Sequence, residues 1–284
     1  MNFPIPLRSL VWCCLVLVLL LPLPSQAQDA EEFLADLRTL AAQQQHRTPA
    51  PRVPQASTVG IPSGFGLGHG SIGFGAAFTN RRDRTINDWD GSAVISFGFG
   101  DARRALGAEV HLGLVSLTPP WRRSGDSSVL GEDGNLSFKL FREFHNPRTG
   151  RVSALSIGAS NALRWGDPKT VPVNYYISGS TTFAVPWGNA STRPGMLTLG
   201  MGSAVRNIER DFGVFGGVAM GLTPSMSVGV SWLGDEAIIG TQFTPQFGQS
   251  MNLQLGLYYA DATRRVSSSG RFILNVSVLA QGLY

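Results

Sequence analysis

The sequence predicts an all-β protein, an antiparallel transmembrane β-barrel of about 12 strands preceded by a short helix and a Pro-rich linker. Apolar and small polar residues alternate with a period of two over most of the chain after residue 70, which is typical of strands with two different faces. Glycine accounts for 34 of 284 residues, and glycine disfavours long helices by about 1 kcal/mol per position. A hydrophobic content of 43% excludes a disordered chain.

Residues 1–27 are predicted to be an export signal. Arg8 gives the segment a positive start, and residues 11–21 form an apolar run that is shorter than the about 20 residues of a membrane helix. Small residues at Ser25 and Ala27 suit a signal peptidase, so we expect cleavage after Ala27.

The mature chain that this cleavage leaves would contain no cysteine, because Cys13 and Cys14 both lie in the signal. It would carry 22 basic and 19 acidic residues, a net charge of +3, spread over several loops. So weak and dispersed a charge argues against a nucleic-acid partner.

Two segments separate the signal from the strands. Residues 28–45 are predicted to form a short helix, because apolar residues recur at helical spacing behind an acidic start. Residues 46–70 are rich in proline and glycine and are predicted to be a linker. The helix could hang in the periplasm or enter the barrel mouth as a plug.

The barrel is expected over residues 71–284, and each strand shows one apolar face. The opposite face is mostly Gly, Ser, Thr, Asn and Gln, which suits a polar lumen better than the outside of a soluble β-sandwich, the alternative that has the same period. The twelve candidate strands cover 72–78, 93–100, 108–114, 136–141, 155–160, 174–183, 197–202, 212–220, 226–232, 237–243, 251–259 and 272–278.

The connections between these strands can be phased as membrane-barrel loops. If the first strand starts in the periplasm, the longer loops fall outside, as in outer-membrane barrels. The predicted outer loops are 79–91, 118–134, 164–172, 207–211, 234–236 and 261–270. The predicted inner turns are 101–105, 145–151, 185–194, 222–225 and 244–250, of which 185–194 is long for an inner turn.

Aromatic residues follow the same phase and predict two interfacial girdles. Those at outer strand ends are Trp89, Trp121, Trp165, Trp232, Tyr258 and Tyr259, and those at inner ends are Phe97, Phe99, Phe141, Phe144, Phe243 and Tyr284. The last strand alternates apolar residues back from Tyr284, which resembles the C-terminal signature of bacterial outer-membrane proteins. That resemblance implies two partners, the barrel-assembly machinery and outer-membrane lipid.

Three stretches of the barrel region, residues 90–93, 97–110 and 161–167, are similar to exported β-rich proteins of cyanobacteria. In those proteins a glycine-rich strand turns through Gly-Asp-Pro-Arg into a second strand that begins Gly-x-Glu; this chain has Ala102 in place of the proline. The resemblance spans about residues 60–284. It implies an outer-membrane location and brings no known activity.

The candidate functional residues are charged or polar side chains on the predicted lumen face. They could set the selectivity of a pore, or their opposed charges could close the lumen as a polar core. They are Glu109, His111, Lys139, Glu143, Arg206 and Arg271.

Chemistry other than transport finds little support in the pattern. Glu109 and His111 lie two residues apart on one face, but no serine follows His111 at the same spacing. No metal site is expected, because the four histidines are scattered, and the glycine run at 64–68 lacks the strand–helix setting of a nucleotide site, so no cofactor is predicted.

The sequence therefore predicts an integral outer-membrane β-barrel that is a narrow small-solute channel or a structural surface protein. Two alternatives remain open. One is a membrane-embedded lipid-modifying hydrolase or acyltransferase centred on His111, and the other is a soluble exported β-rich protein that binds a ligand.

Overall fold

The computed structural model describes residues 56–80, 89–117, 132–188, 191–207, 210–247, 251–266 and 270–281. The predicted signal, the predicted helix at 28–45 and the first part of the predicted linker lie outside these residues. The described residues belong to one compact unit, Val53–Tyr284. No helix among them is long and apolar enough to cross a membrane.

Thirteen strands and one short 3-10 helix make up the described part of the chain. The strands are β1 Ser71–Thr79, β2 Asp90–Gly100, β3 Gly107–Leu117, β4 Gly134–His145, β5 Val152–Trp165, β6 Asn174–Trp187, β7 Ser191–Gly202, β8 Gly213–Thr223, β9 Met226–Leu233, β10 Glu236–Phe243, β11 Gln246–Phe247, β12 Met251–Ala260 and β13 Arg271–Ala280. The 3-10 helix, Asp167–Thr170, lies between β5 and β6.

The strands close into an antiparallel barrel. Each strand from β1 to β10 pairs with its sequence neighbours, β1 also pairs with β13, and β12 pairs with both β10 and β13. The short β11 continues the register of β10 against β12, so the two form one interrupted strand. The interruption falls at Pro245, which has no N–H to donate to the ladder. The predicted twelve-stranded barrel is therefore confirmed.

The two ends of the barrel differ in the length of their connections. Residues 80–89, 118–133, 166–173, 203–212, 234–235 and 261–270 join strands at one end, which we call the long-loop end. Residues 101–106, 146–151, 188–190, 224–225 and 248–250 join them at the other, the short-turn end.

The predicted inner turn over 185–194 is wrong. The β6–β7 ladder continues to the pair Trp187↔Ser191 and leaves a turn of only 188–190. Pro186 and Pro194, which fall within the predicted turn, both lie inside the ladder. In an antiparallel ladder, pairs that exchange N–H···O bonds alternate with pairs that do not. The pairs Ala184↔Pro194 and Pro186↔Thr192 are two positions apart, so both prolines belong to pairs of the same kind.

The barrel wall has an apolar outer face. Side chains that alternate along the strands are exposed on the outside, for example Phe74, Ile157 and Val218 at 54%, 54% and 49%. A soluble sandwich would cover this face with a second sheet, and the single closed sheet leaves it open. This is the face that a bilayer covers in membrane barrels.

Four aromatic residues of the predicted outer girdle lie at the long-loop end. Trp89 precedes β2 and Trp165 ends β5. Trp232 lies in β9 with the Arg265 guanidinium 5.5 Å from its ring centre, and Tyr259 lies in β12 with its ring centre 5.1 Å from that of Phe272. Tyr258, also expected in the outer girdle, is instead 9% exposed and packs against Val59 in the lumen. Trp121 and Tyr284 lie outside the described residues.

At the short-turn end the aromatic prediction needs one correction and one addition. Phe141 was expected at the membrane interface, but it is 2% exposed and points into the lumen, since it shares the inward face of β4 with Lys139. Trp187, which the sequence reading missed, is 46% exposed at the end of β6.

Candidate functional site: the lumen and its inner loop

Residues 56–70, just before β1, lie inside the barrel; we call them the inner loop. They rise from mid-barrel to an apex at Gly60 and descend to Ser71 at the short-turn end. Gly60 has φ +70°, and a Cβ there would lie 2.6 Å from Cδ1 of Ile238. Only glycine adopts this turn without strain, so Gly60 lets the chain reverse inside the lumen.

The ascending limb of the inner loop packs on one side of the wall. Ala56 contacts Met196 and Ala219, which lie on β7 and β8. Thr58 Oγ1 donates to Thr198 Oγ1 at 3.0 Å. Around the apex, apolar side chains of the loop meet the wall near the long-loop end; the contacts join Val59 to Ile238, Tyr258 and Ala260, and Ile61 to Val205 and Phe215.

The descending limb is held by hydroxyl groups of β5 and β6. Ser178 Oγ donates to the Pro62 carbonyl at 2.8 Å, and the Gly64 N–H donates to Ser180 Oγ at 2.8 Å. Ser156 Oγ donates to the Ser63 carbonyl at 3.2 Å. The small polar residues that the sequence placed on the lumen face therefore bind the backbone of the inner loop.

A charged cluster holds the end of the descending limb. Lys139 Nζ lies 2.6 Å from Glu109 Oε2 and donates to the Phe65 carbonyl at 2.7 Å. The other carboxylate oxygen, Glu109 Oε1, accepts the Leu67 N–H. The side chains of Glu109 and Lys139 are 4% and 10% exposed, so each relies on the other for compensation of its buried charge.

His111 completes this cluster together with Ser96, a residue that the sequence reading did not single out. His111 Nε2 lies 3.3 Å from Glu109 Oε2, and its Nδ1 lies 2.8 Å from Ser96 Oγ. Ser96 and His111 are directly opposite in the β2–β3 register, so only a correct strand pairing could have joined them. We call Ser96, Glu109, His111 and Lys139 the lumen cluster.

The serine–histidine–carboxylate chain resembles a hydrolase arrangement, but its setting does not suit lipid chemistry. The chain faces the lumen, whereas acyl chains contact the outer face of the wall. Glu109 also binds Lys139 and the inner loop, which a carboxylate that only orients a histidine does not need to do. The arrangement fits an anchor for the inner loop.

The other three predicted lumen residues lie toward the ends of the barrel. Glu143, near the end of β4, accepts from Arg103 Nε at 3.2 Å at the short-turn end. Arg206 is in the β7–β8 connection, where its Nη1 lies 3.8 Å from Asp211 Oδ2. The Glu143–Arg103 and Arg206–Asp211 pairs therefore lie at opposite ends of the barrel.

Arg271 forms a second buried ion pair near the long-loop end. Its Nη2 lies 2.8 Å from Oε1 of Glu236, a residue that is 0% exposed. Asn207 Nδ2 donates to Glu236 Oε2 at 3.0 Å and Arg271 donates to the same oxygen at 3.0 Å. Alternation along the strands does not identify Glu236, because this residue stands at the start of β10 beside a predicted short loop.

The inner loop covers only part of the wall. Inward side chains that it contacts are buried completely, as Ser178 and Thr198 are at 0% exposure. Several inward residues of β12, β13, β1 and β2 are only half-buried, although Ser96, Gly98, Gly256, Tyr258 and Ala260 on the same strands are buried. The half-buried residues include Asn252, Gln254, Asn275, Ser277, Gly73, Gly75 and Val94. We call this uncovered wall the open side of the lumen, and its mid-barrel lining carries no charge.

A cavity of about 690 Å³ lies at the long-loop end of the lumen, and we call it the vestibule. Its polar lining comes from β1, β2, β4, β5, the 3-10 helix, the β7–β8 connection and β13; the residues are Thr79, Asp90, Ser92, Asn135, Asn161, Thr170, Arg210 and Arg271. Ala77 of β1 and Ile273 of β13 belong to the same cavity, so the vestibule adjoins the open side.

No group of three or more His, Cys, Asp or Glu residues in the described part of the chain is placed to hold a metal ion. The two ion pairs of the lumen, Lys139–Glu109 and Arg271–Glu236, each match one cation with one carboxylate. The described part of the lumen therefore combines a largely polar lining with two internal ion pairs.

Several solved barrels are similar to this chain. The KdgM porin is 7% identical with a TM-score of 0.46, over 75% of this chain and 99% of that one. The COG4313 outer membrane channel from Pseudomonas putida F1 is 13% identical with a TM-score of 0.40, over 78% and 99%. The Acinetobacter baumannii outer membrane protein Omp33 is 10% identical with a TM-score of 0.38, over 77% and 100%.

No protein-family model and no curated protein matches the sequence.

Proposed function

We propose that the protein is an integral outer-membrane β-barrel that acts as a narrow channel for small solutes, which pass along the open side of the lumen. The observation that carries this proposal is the unequal filling of the barrel. The inner loop buries inward side chains on strands from β3 to β10, while the inward residues of β13, most of those of β1 and those in the short-turn half of β12 stay partly accessible. The accessible residues include the polar, uncharged Asn252, Gln254, Asn275 and Ser277. A barrel that served only as a surface scaffold would not need an unfilled polar side.

The membrane location follows from the wall and from the predicted export signal. Closed barrels are the only β structures that satisfy every backbone group in lipid. The exposed apolar outer face and the aromatic residues at both ends suit a bilayer with two interfaces. This proposal includes three expectations from the sequence: cleavage after Ala27, outer-membrane lipid around the barrel, and recognition of the last strand by the barrel-assembly machinery.

Two alternatives fit the residues less well. A soluble ligand-binding protein would expose its large apolar outer face to water, which favours aggregation. A lipid hydrolase or acyltransferase centred on His111 would have its reactive group on the face away from lipid. The finer likeness to exported cyanobacterial proteins has no matching family model behind it and remains an expectation.

The channel can be tested with the inner loop locked in place. Thr58 and Thr198 have hydroxyls 3.0 Å apart, and the predicted mature chain has no native cysteine, so Thr58→Cys/Thr198→Cys should form a disulfide between loop and wall. If solutes pass along the open side, the oxidised and reduced forms will show the same single-channel conductance in planar bilayers. The single variant Thr198→Cys controls for the substitution itself.

Removing the inner loop gives the complementary result. Deletion of residues 56–66 should raise the conductance several-fold, because a barrel of twelve strands has a lumen wider than an eight-stranded barrel whose side chains fill it. Heat-modifiable gel mobility in detergent checks that the shortened barrel folds. A folded full-length protein without conductance at any voltage would remove the channel proposal, and conductance lost on oxidation would mean that the loop must move out for transport.

A further inference from the structure

We propose that the vestibule is a binding site for a small uncharged solute that carries several hydroxyl or amide groups. This inference rests on the proposed channel, since the vestibule adjoins the open side along which solutes would pass. Its volume of about 690 Å³ lies in the range of small-molecule pockets, roughly 300–1,000 Å³.

The polar groups of the vestibule come from separate elements and converge on one space. Asn135 on β4 and Asn161 on β5 each offer an amide, which both donates and accepts. Hydroxyl groups, which also donate and accept, come from Thr79 on β1, Ser92 on β2 and Thr170 in the 3-10 helix. Groups that can donate and accept match hydroxyls, which have both properties themselves.

Charge is balanced among the described residues that line the vestibule, when they are counted together with the ion-paired Glu236. Arg271 faces Glu236, whose two carboxylate oxygens lie 2.8 and 3.0 Å from its Nη2. Asp90 and Arg210 add one charge of each sign to the lining. A charged ligand that leaves water needs an opposite charge that is not already matched. The positive and negative side chains here are equal in number, so no net charge is left for such a ligand. The solute should therefore be neutral.

The backbone of β5 is distorted where it meets the vestibule. Between the pairs Leu136↔Leu163 and Phe138↔Ala159, residues 160–162 of β5 stand opposite the single residue Ser137. Within this bulge Asn161 has φ +57° and donates its N–H to Ser137 Oγ at 3.0 Å. Bulges re-aim side chains and are frequent beside functional sites, and this one brings Asn161 into the vestibule lining.

The second amide has space made for it on the neighbouring strand. The Asn135 side chain lies over Gly113 of β3, where a Cβ would come within 2.9 Å of Asn135 Oδ1. Glycine at 113 thus leaves the amide of Asn135 unobstructed. Below both amides, Ala77 of β1 pairs with Asn275 of β13, so the next polar group along the open side is again an uncharged amide.

The test compares three probes that share a pyranose ring and differ in charge: glucose, glucuronate and glucosamine. Saturation-transfer NMR titrations would use the mature protein folded in detergent micelles. We expect glucose to bind, and both charged probes to bind at least about tenfold more weakly, because each brings a charge without a partner. Asn135→Ala and Asn161→Gly should each weaken glucose binding about tenfold, since each leaves hydroxyls unsatisfied.

Glycine suits the positive φ of residue 161, so that variant should fold. Gln281→Ala removes an exposed amide just after β13 at the short-turn end; it is the matched control and should leave binding unchanged. Absence of binding by all three probes, stronger binding of a charged probe, or unchanged binding in both vestibule variants would overturn the inference. Solute flux into vesicles separates the two proposals: flux without binding leaves the channel standing and removes the vestibule site, and binding without flux does the reverse.

Discussion

Replacing Lys139 by methionine should destabilise the barrel more than replacing a charged residue exposed to water. Methionine keeps most of the side-chain volume but removes the ammonium that lies 2.6 Å from Glu109 and 2.7 Å from the Phe65 carbonyl. Glu109 is 4% exposed, so its charge would stay buried with only His111 and the Leu67 N–H as polar contacts. Breaking such a pair from one side costs about 3–5 kcal/mol of unfolding free energy.

Urea unfolding of the folded barrel in lipid vesicles, followed by tryptophan fluorescence, would measure this loss. The double variant Glu109→Gln/Lys139→Met should recover part of it, because no charge is then left unpaired. Arg104→Met is the matched control: that side chain is 90% exposed and its ion pair with Asp101 is at 3.5 Å, so its removal should have little effect. A Lys139→Met barrel as stable as the wild type would refute the view that this pair anchors the inner loop.

Two further substitutions test the wall and the packing of the inner loop. Val218→Arg, at an outward position in the middle of β8, should cost about 2–4 kcal/mol of unfolding free energy in vesicles. The control Leu106→Arg changes a residue that is about as exposed but lies in a short turn, and it should cost about 1 kcal/mol or less. Equal effects of the two substitutions would argue against a bilayer around β8. Phe141→Ala should cost about 3–5 kcal/mol by the same assay, because the ring fills the space against Gly66 and Gly107, and a value near zero would mean that the inner loop is not packed there.

The barrel could be predicted because its evidence is local. A period of two fixes which residues share a face, and a closed sheet needs little more than enough such strands in sequence order. Errors arose where a local signal has two meanings. Residues 185–194 were expected to form a turn, but most of them belong to the β6–β7 ladder, which tolerates Pro186 and Pro194. Phe141 was expected at an interface but fills the lumen.

The inner loop could not be predicted in the same way. Residues 56–70 have no period, and their composition is that of a linker. Their contacts reach far along the chain, as from Gly64 to Ser180 and from Leu67 to Glu109. Such contacts become visible only once the barrel has fixed which hydroxyls face inward.

The chemistry of the lumen wall nevertheless carries a signal that can be interpreted afterwards. Where the inner loop lies against β5 to β7, the wall presents the short hydroxyl side chains of Ser156, Ser178 and Thr198, which bind a backbone at close range. On the open side the lining includes the longer amide side chains of Gln254 and Asn275, which suit transient contacts with a passing solute. Buried hydroxyls bonded to the loop backbone on one wall, and half-buried amides on the other, thus distinguish the surface that holds a resident segment from the surface left for a solute.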